Sequence, residues 1–436
     1  MMDVPKHIVL FGAGKSASVL IGFLKETAAK RRWKVTVADK DFSLAEAKTG
    51  QDAWVKPAVI SIENEMQRHA LIESADVVIS LLPPSLHFIV AQDCILFRKH
   101  LLTASYVDTA MAELAKEINK LDVLFLCEMG LDPGIDHMSA MQLVDRVRNA
   151  GGHIRSFRSH CGGLVAPESD DNPWHYKISW NPRSVVLAGK AGAVFRDKGM
   201  TRNVKYEQLF QDCSSVDTID AGSFSFYPNR DSLSYISAYG LQETQTFVRT
   251  TLRHPDFCKG WQLVIELGLT DEKNTIETDS MSVGAFIKSH FDKKKISTQL
   301  DDPLLKAQFD FIGLNDDTLI NKGQACSADI WQWIIEKKLA LQPEDKDMIV
   351  MLHEMEYEIP GRVHKLQSEL VVKGEDSIHT AMARTVGLPL GIAAVLLLDG
   401  NIRETGLHTP TVPGIYEPVL KELKERGVAF RERELT

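Results

Sequence analysis

A glycine-rich loop directly follows the first apolar segment and most constrains the fold of this chain. The run Ile8–Phe11 leads into Gly12-Ala13-Gly14-Lys15-Ser16-Ala17 and then into a helical pattern with Val19, Leu20, Phe23 and Leu24 on one face. The spacing fits G-x-G-x-x-A, where the glycines permit a tight turn and close approach to a pyrophosphate. Glycine pairs also occur in purely structural turns. The strand before the loop and the helix after it favour a dinucleotide site at the helix N-terminus.

Strand-like and helical stretches alternate through the first third of the chain. This alternation predicts an α/β fold with a doubly wound parallel sheet of the Rossmann type. The predicted strands lie near 7–11, 34–38, 58–62, 76–82, 101–105 and 122–127, and clear helical stretches include 86–99 and 109–120.

Three of the predicted strands end on polar or proline-containing clusters. Asp76–Leu82 ends at Pro83-Pro84, Leu101–Ala104 ends at Ser105-Tyr106, and Val123–Cys127 ends at the segment Glu128–Asp132. Ligands of open parallel sheets bind outside the carboxyl ends of the strands. The sequence therefore predicts a nicotinamide-dependent enzyme whose second substrate lies at these strand ends.

Cofactor choice depends on two adjacent residues after the second strand. Asp39 suits hydrogen bonds from a ribose 2′-hydroxyl, as in NAD, whereas Lys40 could reach the 2′-phosphate of NADP. Successive residues leaving a strand point to opposite sides, so only one is expected to face the ribose. The short side chain of Asp39 favours NAD over NADP.

Composition limits the other function classes. With 436 residues the chain should form two or three domains, and 44% hydrophobic and 25% charged residues are ordinary for a soluble enzyme. A net charge of −9 argues against nucleic acid or an anionic membrane as partner. The longest apolar stretch, Leu388–Leu398, is shorter than a membrane span, and a strand beginning by residue 7 leaves no room for a signal peptide. The six cysteines lack C-x-x-C spacing, so we expect reduced thiols, a cytoplasmic protein and no metal site.

After Gly151-Gly152 the regular alternation of strands and helices gives way to short extended segments, which predicts further domains. We expect a dinucleotide-binding domain over 1–150 that is completed by a helix near 380–400. A mixed-sheet α+β substrate domain is expected over 151–255 and 356–379, with extended segments such as Ile154–Ser159, Lys177–Trp180 and Leu366–Val372. A small helical domain over 256–355 and a C-terminal segment over 401–436 complete the organisation.

Two arginines in the middle region suit a substrate with more than one carboxylate. Arg230 lies in a turn-rich segment and Arg253 ends a strand-like run. A guanidinium binds a carboxylate through two parallel hydrogen bonds. The alternative is that Arg230 pairs with Asp231 or another surface acid.

Several long motifs resemble the glutamate-forming saccharopine dehydrogenases, also called saccharopine reductases. They are Ser105-Tyr106, Gly130–His137, Cys161–Leu164 with Ala166–Glu168, Asn172-Pro173, Tyr176-Lys177 with Ser179-Trp180, Tyr227–Ser232, Thr251–Arg253, Lys346–Met351, Ala383–Pro389 and Ile415–Pro418. The resemblance implies a Rossmann domain, a mixed-sheet substrate domain and a small helical domain. It also implies interconversion of saccharopine with glutamate and 2-aminoadipate 6-semialdehyde with NAD or NADP, a step of lysine metabolism. The chain departs from the pattern at His160, Val165 and Trp174-His175, which flank the substrate region.

The resemblance also implies roles for individual residues. The cofactor would meet Gly12, Ala13, Gly14, Lys15, Ser16, Asp39, Lys40, Leu82 and Ser105. The substrate would meet Ser105, Tyr106, Leu131, Asp132, Arg230, Thr251, Leu252 and Arg253.

Oxidation of a secondary amine requires proton transfer as well as hydride transfer. The amine must be neutral to lose a hydride, and water must then attack the imine. The candidates for proton transfer are Asp132, Cys161 and Tyr106, and the secondary candidates are His137 and His160. Asp132 could instead be a fixed charge or cap a helix beginning near Pro133. Packing is the alternative for Cys161 and His137.

Two other functions fit parts of the same sequence. A related dehydrogenase could join another amine and aldehyde, as in carboxynorspermidine formation. A redox-sensing regulator would bind the dinucleotide without turnover. The sequence does not fix the oligomeric state, and a homodimer is kept as the working hypothesis.

Overall fold

The computed structural model describes residues 5–435, which form two compact units. The first unit comprises the chain up to Gly152 together with Ile378–Phe430, and the second comprises His153–Ser377 and the chain from Arg431. The helical segment predicted over 256–355 lies within the second unit. Each unit is described separately below.

The first unit alternates strands and helices, as the sequence predicts. Its strands up to Gly152 are β1 (His7–Phe11), β2 (Lys34–Asp39), β3 (Val55–Val59), β4 (Val77–Ser80), β5 (His100–Thr103) and β6 (Leu124–Leu126). Its helices there are α1 (Ser18–Arg31), α2 (Phe42–Thr49), α3 (Glu65–Ser74), α4 (His87–Phe97), α5 (Thr109–Glu113), α6 (Ala115–Ile118) and α7 (Ile135–Asn149).

The second unit contains a large mixed sheet and a group of helices. Its strands are β7 (His153–Val165), β8 (Ala193–Asp197), β9 (Met200–Val204), β10 (Ser214–Asp217), β11 (Ser223–Pro228), β12 (Arg230–Asp231), β13 (Thr246–Arg253), β14 (Thr275–Glu277), β15 (Gln324–Cys326), β16 (Asp347–Ile359) and β17 (Arg362–Lys373). Its helices are α8 (Pro182–Val186), α9 (Ser234–Ala238), α10 (Pro255–Leu267), α11 (Val283–Lys294), α12 (Pro303–Ile312) and α13 (Ser327–Lys338). The remaining elements are α14 (Ala381–Leu398), β18 (Gly406–His408) and α15 (Pro413–Glu425) in the first unit, and β19 (Arg431–Leu435) in the second.

A seven-stranded parallel sheet forms the core of the first unit. Its strand order is β18-β6-β5-β4-β1-β2-β3, so the strand order reverses beside β1. Every residue of β1 and β4 is buried, which explains their continuous apolar sequence. The glycine loop after β1 therefore begins at the switch point of the sheet, where such folds bind ligands.

A long apolar helix, α14, packs against α1, the helix that follows the glycine loop. In α14, Gly387 and Gly391 contact Leu20 and Phe23 of α1, where an added Cβ would come within 3.0 Å and 2.6 Å of a side-chain atom. The apolar segment is longer than the sequence suggested, because α14 has 18 residues and enough hydrophobicity to cross a membrane by composition alone. Since 72% of it is buried within the structure, α14 is a core helix of this unit.

The second sheet is mixed, as predicted. Its main path runs β10-β11-β13-β7-β16-β17-β19, with β13 and β7 parallel and the other neighbours on that path antiparallel. Helices α10–α13 share a hydrophobic cluster with the buried indoles of Trp174, Trp261 and Trp331. The predicted fold class, a Rossmann sheet with a mixed-sheet α+β region and helices, is confirmed.

Some predicted element boundaries are wrong. The helical pattern expected up to residue 355 ends at Lys338, and β16 begins at Asp347, because a short apolar run such as Met348–Leu352 suits a buried strand as well as a helix. Lys177–Trp180 makes only an isolated bridge, between Ile178 and Ala340. The third strand lies at 55–59 and not at 58–62.

Candidate active site

The glycine loop has the geometry that a dinucleotide pyrophosphate requires. Gly12 has a φ of 101°, and a Cβ there would lie 2.8 Å from the carbonyl oxygen of Leu81, so only glycine fits. A Cβ on Gly14 would meet no atom within 4 Å, which leaves open space beside the backbone. A 3₁₀ turn at Lys15–Ala17 then leads into α1. The first N–H groups of a helix lack partners within the helix, so this end can hold phosphate oxygens.

The carboxylate of Asp39 is tied to the same loop. Its Oδ2 accepts the N–H of Ala13 at 2.7 Å, and its Oδ1 accepts the N–H of Asp41 at 3.0 Å. The side chain of Lys40 is exposed. Asp39 therefore holds the loop in place, and both of its oxygens are already engaged.

A lysine that the sequence analysis missed lies at this loop. Lys48, on α2, donates from Nζ to the carbonyl oxygen of Gly14. Burial lowers the pKa of Lys48 to about 8, and the charge of Asp39 opposes that shift. A half-buried ammonium group therefore accompanies the carboxylate at the place where the adenosine ribose is expected.

A buried histidine organises the ends of β4 and β5. His87 Nδ1 forms a 2.9 Å hydrogen bond with Ser80 Oγ, and its Nε2 forms one of 2.7 Å with Ser105 Oγ. Burial lowers the pKa of His87 to about 4, with only partial opposition from Asp108, so the ring is neutral near neutral pH. A neutral imidazole has one donor and one acceptor nitrogen, which fits a position between two hydroxyl groups. His87 thus orients the predicted ligand-binding residue Ser105. Leu82, which is also predicted to lie near the cofactor, follows β4 and is partly buried against the hydrophobic core.

Glu128 connects the end of β6 to its neighbours. Its backbone is left-handed, with a φ of 57°. Its Oε1 accepts the N–H of Val107 at 3.0 Å, and its Oε2 lies 2.9 Å from Nε2 of His137. His137 is completely buried, so the structure places it in a supporting contact. These contacts fix the segments that carry Tyr106 and Asp132.

Tyr106 and Asp132 form a hydrogen-bonded pair at these strand ends. The Tyr106 hydroxyl donates to Asp132 Oδ1 at 3.1 Å. Asp132 is partly exposed, whereas every other residue between 123 and 141, including Leu131, is buried. The pair therefore presents one carboxylate and one phenol at the open edge of the sheet.

Asp132 is not a helix cap, so that alternative is wrong. Helix α7 begins at Ile135 with Gly134 as its N-cap residue, and Asp136 Oδ1 accepts the N–H of Gly134 at 2.6 Å. The tight bend before the helix needs glycine, since a Cβ on Gly134 would lie 2.1 Å from the carbonyl oxygen of Gly130. The N-cap position of α7 is therefore occupied by Gly134, two residues after Asp132.

In the second unit, His160 and Cys161 occupy successive positions of β7. His160 is completely buried, with Nδ1 2.7 Å from Thr250 Oγ1 and Nε2 3.2 Å from Glu354 Oε2. Burial opposes ionisation of Glu354, but the hydrogen bond and charge of His160 hold the pKa of that carboxyl below its usual value. Cys161 is also buried and lies opposite Thr251 in the register of β7 with β13.

Thr251, Leu252 and Arg253 are the last three residues of β13, where successive side chains point to opposite faces of the sheet. Leu252 is fully buried in a hydrophobic cluster with Leu164, Val350 and other side chains, so its side chain belongs to the core. A Cβ on Gly162 would lie 2.7 Å from Cβ of Leu252, which explains the glycine at that position of β7. Thr251 is half-buried on the same strand.

Arg253 is a buried guanidinium for which residues 5–435 supply no carboxylate partner. Only 4% of it is exposed, and its Nη1 donates to the carbonyl oxygens of Leu252 at 2.8 Å and Gly163 at 3.4 Å. The rings of Tyr176 and Phe257 lie 5.2 Å and 5.6 Å from its Cζ. Within residues 5–435 its Nε has no hydrogen-bond acceptor and no acid pairs with it. A buried cation normally requires an anion, so this site suits a ligand carboxylate.

Arg230 lies in a different environment. It is exposed, begins the short strand β12, and has a left-handed φ of 50°. The neighbouring Asp231 accepts the N–H groups of Leu233 and Ser234 through Oδ1.

Two family models together match nearly the whole chain. Residues 8–126 match the saccharopine dehydrogenase NADP binding domain, and residues 130–428 match the saccharopine dehydrogenase C-terminal domain.

Curated relatives are similar to almost all of the chain. Saccharopine dehydrogenase [NADP(+), L-glutamate-forming] from Saccharomyces cerevisiae is 32% identical over 98% of this chain and 99% of its own length. The mitochondrial alpha-aminoadipic semialdehyde synthase of Mus musculus is 33% identical over 98% of this chain. The chain spans about half of that longer relative, 48% of its length.

Solved structures agree with this relationship. Apo saccharopine dehydrogenase (L-Glu forming) from Saccharomyces cerevisiae has a TM-score of 0.88 and 31% identity, covering 99% of this chain and 100% of that one. Homospermidine synthase from Legionella pneumophila, in complex with NAD, has a TM-score of 0.59 and 10% identity, covering 99% of this chain and 92% of that one. At that identity the second likeness shows the fold alone.

Proposed function

The chain belongs to the saccharopine dehydrogenase family, and we propose that it interconverts saccharopine with L-glutamate and 2-aminoadipate 6-semialdehyde, using NADP. In the oxidative direction, saccharopine, water and NADP⁺ give glutamate, the semialdehyde, NADPH and a proton. The proposal is supported by the near full-length similarity to the yeast enzyme whose name gives saccharopine, NADP(+) and L-glutamate formation. Saccharopine-dependent reduction of NADP⁺ with release of glutamate tests it.

The structural observation that carries the proposal is the buried cation of Arg253. Because no acid of the described residues pairs with it, we infer that a carboxylate of the substrate does. Thr251 lies on the same strand and can add a hydroxyl donor. Arg230 is proposed as a second, weaker carboxylate contact because its exposed guanidinium must compete with water.

Tyr106 and Asp132 are proposed to handle the amine proton. A carboxylate within hydrogen-bond reach of the reacting amine can accept its proton before hydride loss, and the cofactor takes the hydride. The Tyr106 hydroxyl, which donates to Asp132, holds that carboxylate in one orientation. Cys161 is proposed to shape the pocket rather than to transfer protons, because it is buried in the sheet. Glu128 and His137 act as positioning residues behind the pair.

NADP is proposed as the preferred cofactor. The preference for NAD expected from Asp39 has no support from the comparisons, since the matching family model and the yeast relative both name NADP. The contacts of Asp39 suggest the physical reason, because both carboxylate oxygens already accept backbone N–H groups. The exposed Lys40 and the half-buried Lys48 supply two positive charges near that carboxylate, which suits a 2′-phosphate.

Replacing Lys48 with methionine is expected to weaken NADPH binding about tenfold or more and to leave NADH binding nearly unchanged. A hydrogen bond to a charged group contributes about 1.5–3 kcal/mol, and about 1.4 kcal/mol corresponds to a factor of ten. Fluorescence titration of both reduced cofactors measures the effect. Lys30→Met, an exposed lysine at the end of α1, is the matched control. Equal losses for NADPH and NADH would place Lys48 in loop support only.

The pH dependence of cofactor binding gives an independent readout of Lys48. Its ammonium is charged below its pKa of about 8, which burial sets, and it becomes neutral as the pH rises through that value. The ratio of NADPH to NADH affinity should therefore fall as the pH rises through about 8, with a higher midpoint once phosphate is bound. Lys48→Met should remove this transition, leaving the ratio of NADPH to NADH affinity independent of pH.

The cytoplasmic location and the homodimer stay predictions.

A further inference from the structure

Two cysteines that have no role in the site described above meet in the second unit. Cys258 lies near the N-terminus of α10, and Cys213 directly precedes β10. Both thiols are free, and both line one cavity of about 310 Å³. Cys258 is buried in the hydrophobic cluster of the helices, whereas Cys213 is only partly buried against that cluster. Cys213 is therefore the thiol of this pair that a dissolved reagent reaches first.

Hydrogen bonds give the two thiols different chemical properties. Cys213 Sγ donates to the carbonyl oxygen of Phe210 at 3.7 Å, which leaves the lone pairs of that sulfur for another donor. The Cys258 thiol is that donor, and its hydrogen bond lowers the pKa of Cys213, although burial acts in the opposite direction. The same hydrogen bond, together with burial, raises the pKa of Cys258. Cys213 is therefore the nucleophilic thiol, and Cys258 is the reserve thiol beside it.

This arrangement is typical of a redox-active thiol pair. Such pairs combine a solvent-accessible thiol of lowered pKa with a neighbouring thiol that resolves the first adduct. The buried thiols of Cys94 and Cys127 differ, because burial raises the pKa of both. Cavities of about 300–1,000 Å³ are typical of small-molecule sites, so the cavity beside the pair can admit part of a small disulfide.

We propose that Cys213 and Cys258 form a reversible disulfide by exchange with a small-molecule disulfide of the glutathione class. The Cys213 thiolate attacks one sulfur of that disulfide, which forms a mixed disulfide and releases one glutathione thiolate. The Cys258 thiol then loses its proton, and its sulfur attacks Cys213 and releases the second glutathione thiolate. The two protons from the cysteines end on the two released thiolates. One pair of thiols is oxidised and one disulfide is reduced, so no further oxidant is needed.

The pair lies close to the proposed carboxylate site. Helix α10 begins at Pro255, two residues after Arg253, and the ring of Phe257, the residue before Cys258, lies 5.6 Å from Cζ of Arg253. A covalent bond at Cys258 would constrain this end of α10 and change the packing around the guanidinium. Oxidation should therefore weaken saccharopine binding, an expectation that rests on the proposed function.

Treatment of the purified, reduced protein with oxidised glutathione tests the pair. We expect the chain to lose two of its six thiols, and peptide mapping should find Cys213 linked to Cys258. Dithiothreitol should restore both thiols. Cys258→Ala should stop at the mixed disulfide and keep one glutathionyl group on Cys213, whereas Cys213→Ser should form no adduct at Cys258. Cys326→Ser is the matched control, because it removes a buried thiol at the N-cap of α13, where serine is favoured, and it should form the disulfide as the wild type does.

Kinetics of the reduced and oxidised forms test the link to Arg253. The oxidised form should have a saccharopine KM up to about tenfold higher, the loss expected when one hydrogen bond to a charged group weakens, with unchanged NADPH affinity. Cys213→Ser should show no response to oxidised glutathione. An identical KM in both forms would overturn the link to Arg253.

The mapping result decides the disulfide independently of turnover. Absence of the Cys213–Cys258 link after treatment, or its formation at the same rate as random pairings among the other cysteines, would overturn the proposal. A mapped disulfide in a chain that turns over no saccharopine would support the pair and contradict only the proposed function.

Discussion

Asp132→Asn is expected to lower kcat/KM for saccharopine by about a hundred- to ten-thousandfold, the range that a positioned general acid or base contributes. The amide has nearly the same shape as the carboxylate but can neither accept a proton nor supply a negative charge. The side chain is partly exposed and does not cap α7, so the thermal midpoint should change little. Steady-state kinetics across a pH series measures both the loss and any change in the pH–rate profile.

The matched variant for this test is Tyr106→Phe, which removes one hydrogen bond to Asp132 and leaves its charge. Tyr106→Phe should reduce kcat/KM less than Asp132→Asn does. It should shift the pH dependence of kcat/KM but not remove that dependence. An Asp132→Asn enzyme with a wild-type pH–rate curve would exclude Asp132 from proton transfer. A Tyr106→Phe enzyme impaired as strongly as Asp132→Asn would instead assign the catalytic proton to the phenol.

Arg253→Met is expected to lower kcat/KM about ten- to a hundredfold, with most of the change in KM. The hydrogen bonds between a guanidinium and a carboxylate contribute about 1.5–3 kcal/mol, and each 1.4 kcal/mol is about one factor of ten. Methionine keeps an unbranched chain beside the rings of Tyr176 and Phe257. Titration of NADPH should show unchanged cofactor affinity, since the change lies in the second unit.

Stability separates a binding role from a structural role for Arg253. Removing the guanidinium takes a hydrogen-bond donor from the carbonyl oxygens of Leu252 and Gly163, but it also removes a buried charge and leaves no acid of the described residues unpaired, so the thermal midpoint should change little. Arg202→Ala, an exposed arginine on β9, should leave both kinetics and stability unchanged. A stability loss in Arg253→Met with near-normal KM would show that Arg253 only supports the fold.

The parallel sheet and its glycine loop could be predicted because their signals are local. Gly12 is needed for its own φ and for close approach to Leu81, and β1 is apolar because it is buried on both faces. The strand ends that carry Ser105, Tyr106 and Asp132 followed from the rule that carboxyl ends of parallel strands share one edge. Residue type and position along a strand were enough for these predictions.

The remaining features depend on contacts between distant segments. Lys48 reaches Gly14 across 34 positions, and His87 reaches Ser105 across 18, so neither role is visible in a local pattern. The sequence also gave no sign that Arg253 is buried whereas Arg230 is exposed.

The contact between His175 and His254 shows the same limit. These residues are 79 positions apart, and their rings stack only in the folded chain. The misassigned strand β16 has a related cause, since a short apolar run alone does not distinguish a strand from a helix.

The most direct test of the account is a spectrophotometric assay of the purified protein with saccharopine and either NADP⁺ or NAD⁺ at one ionic strength. We expect saccharopine-dependent formation of NADPH, with equimolar glutamate released and a higher kcat/KM for NADP⁺ than for NAD⁺. Binding of NADPH with no saccharopine-dependent change in absorbance from either cofactor would contradict the proposed activity. A higher kcat/KM for NAD⁺ would retain the activity and contradict the cofactor assignment.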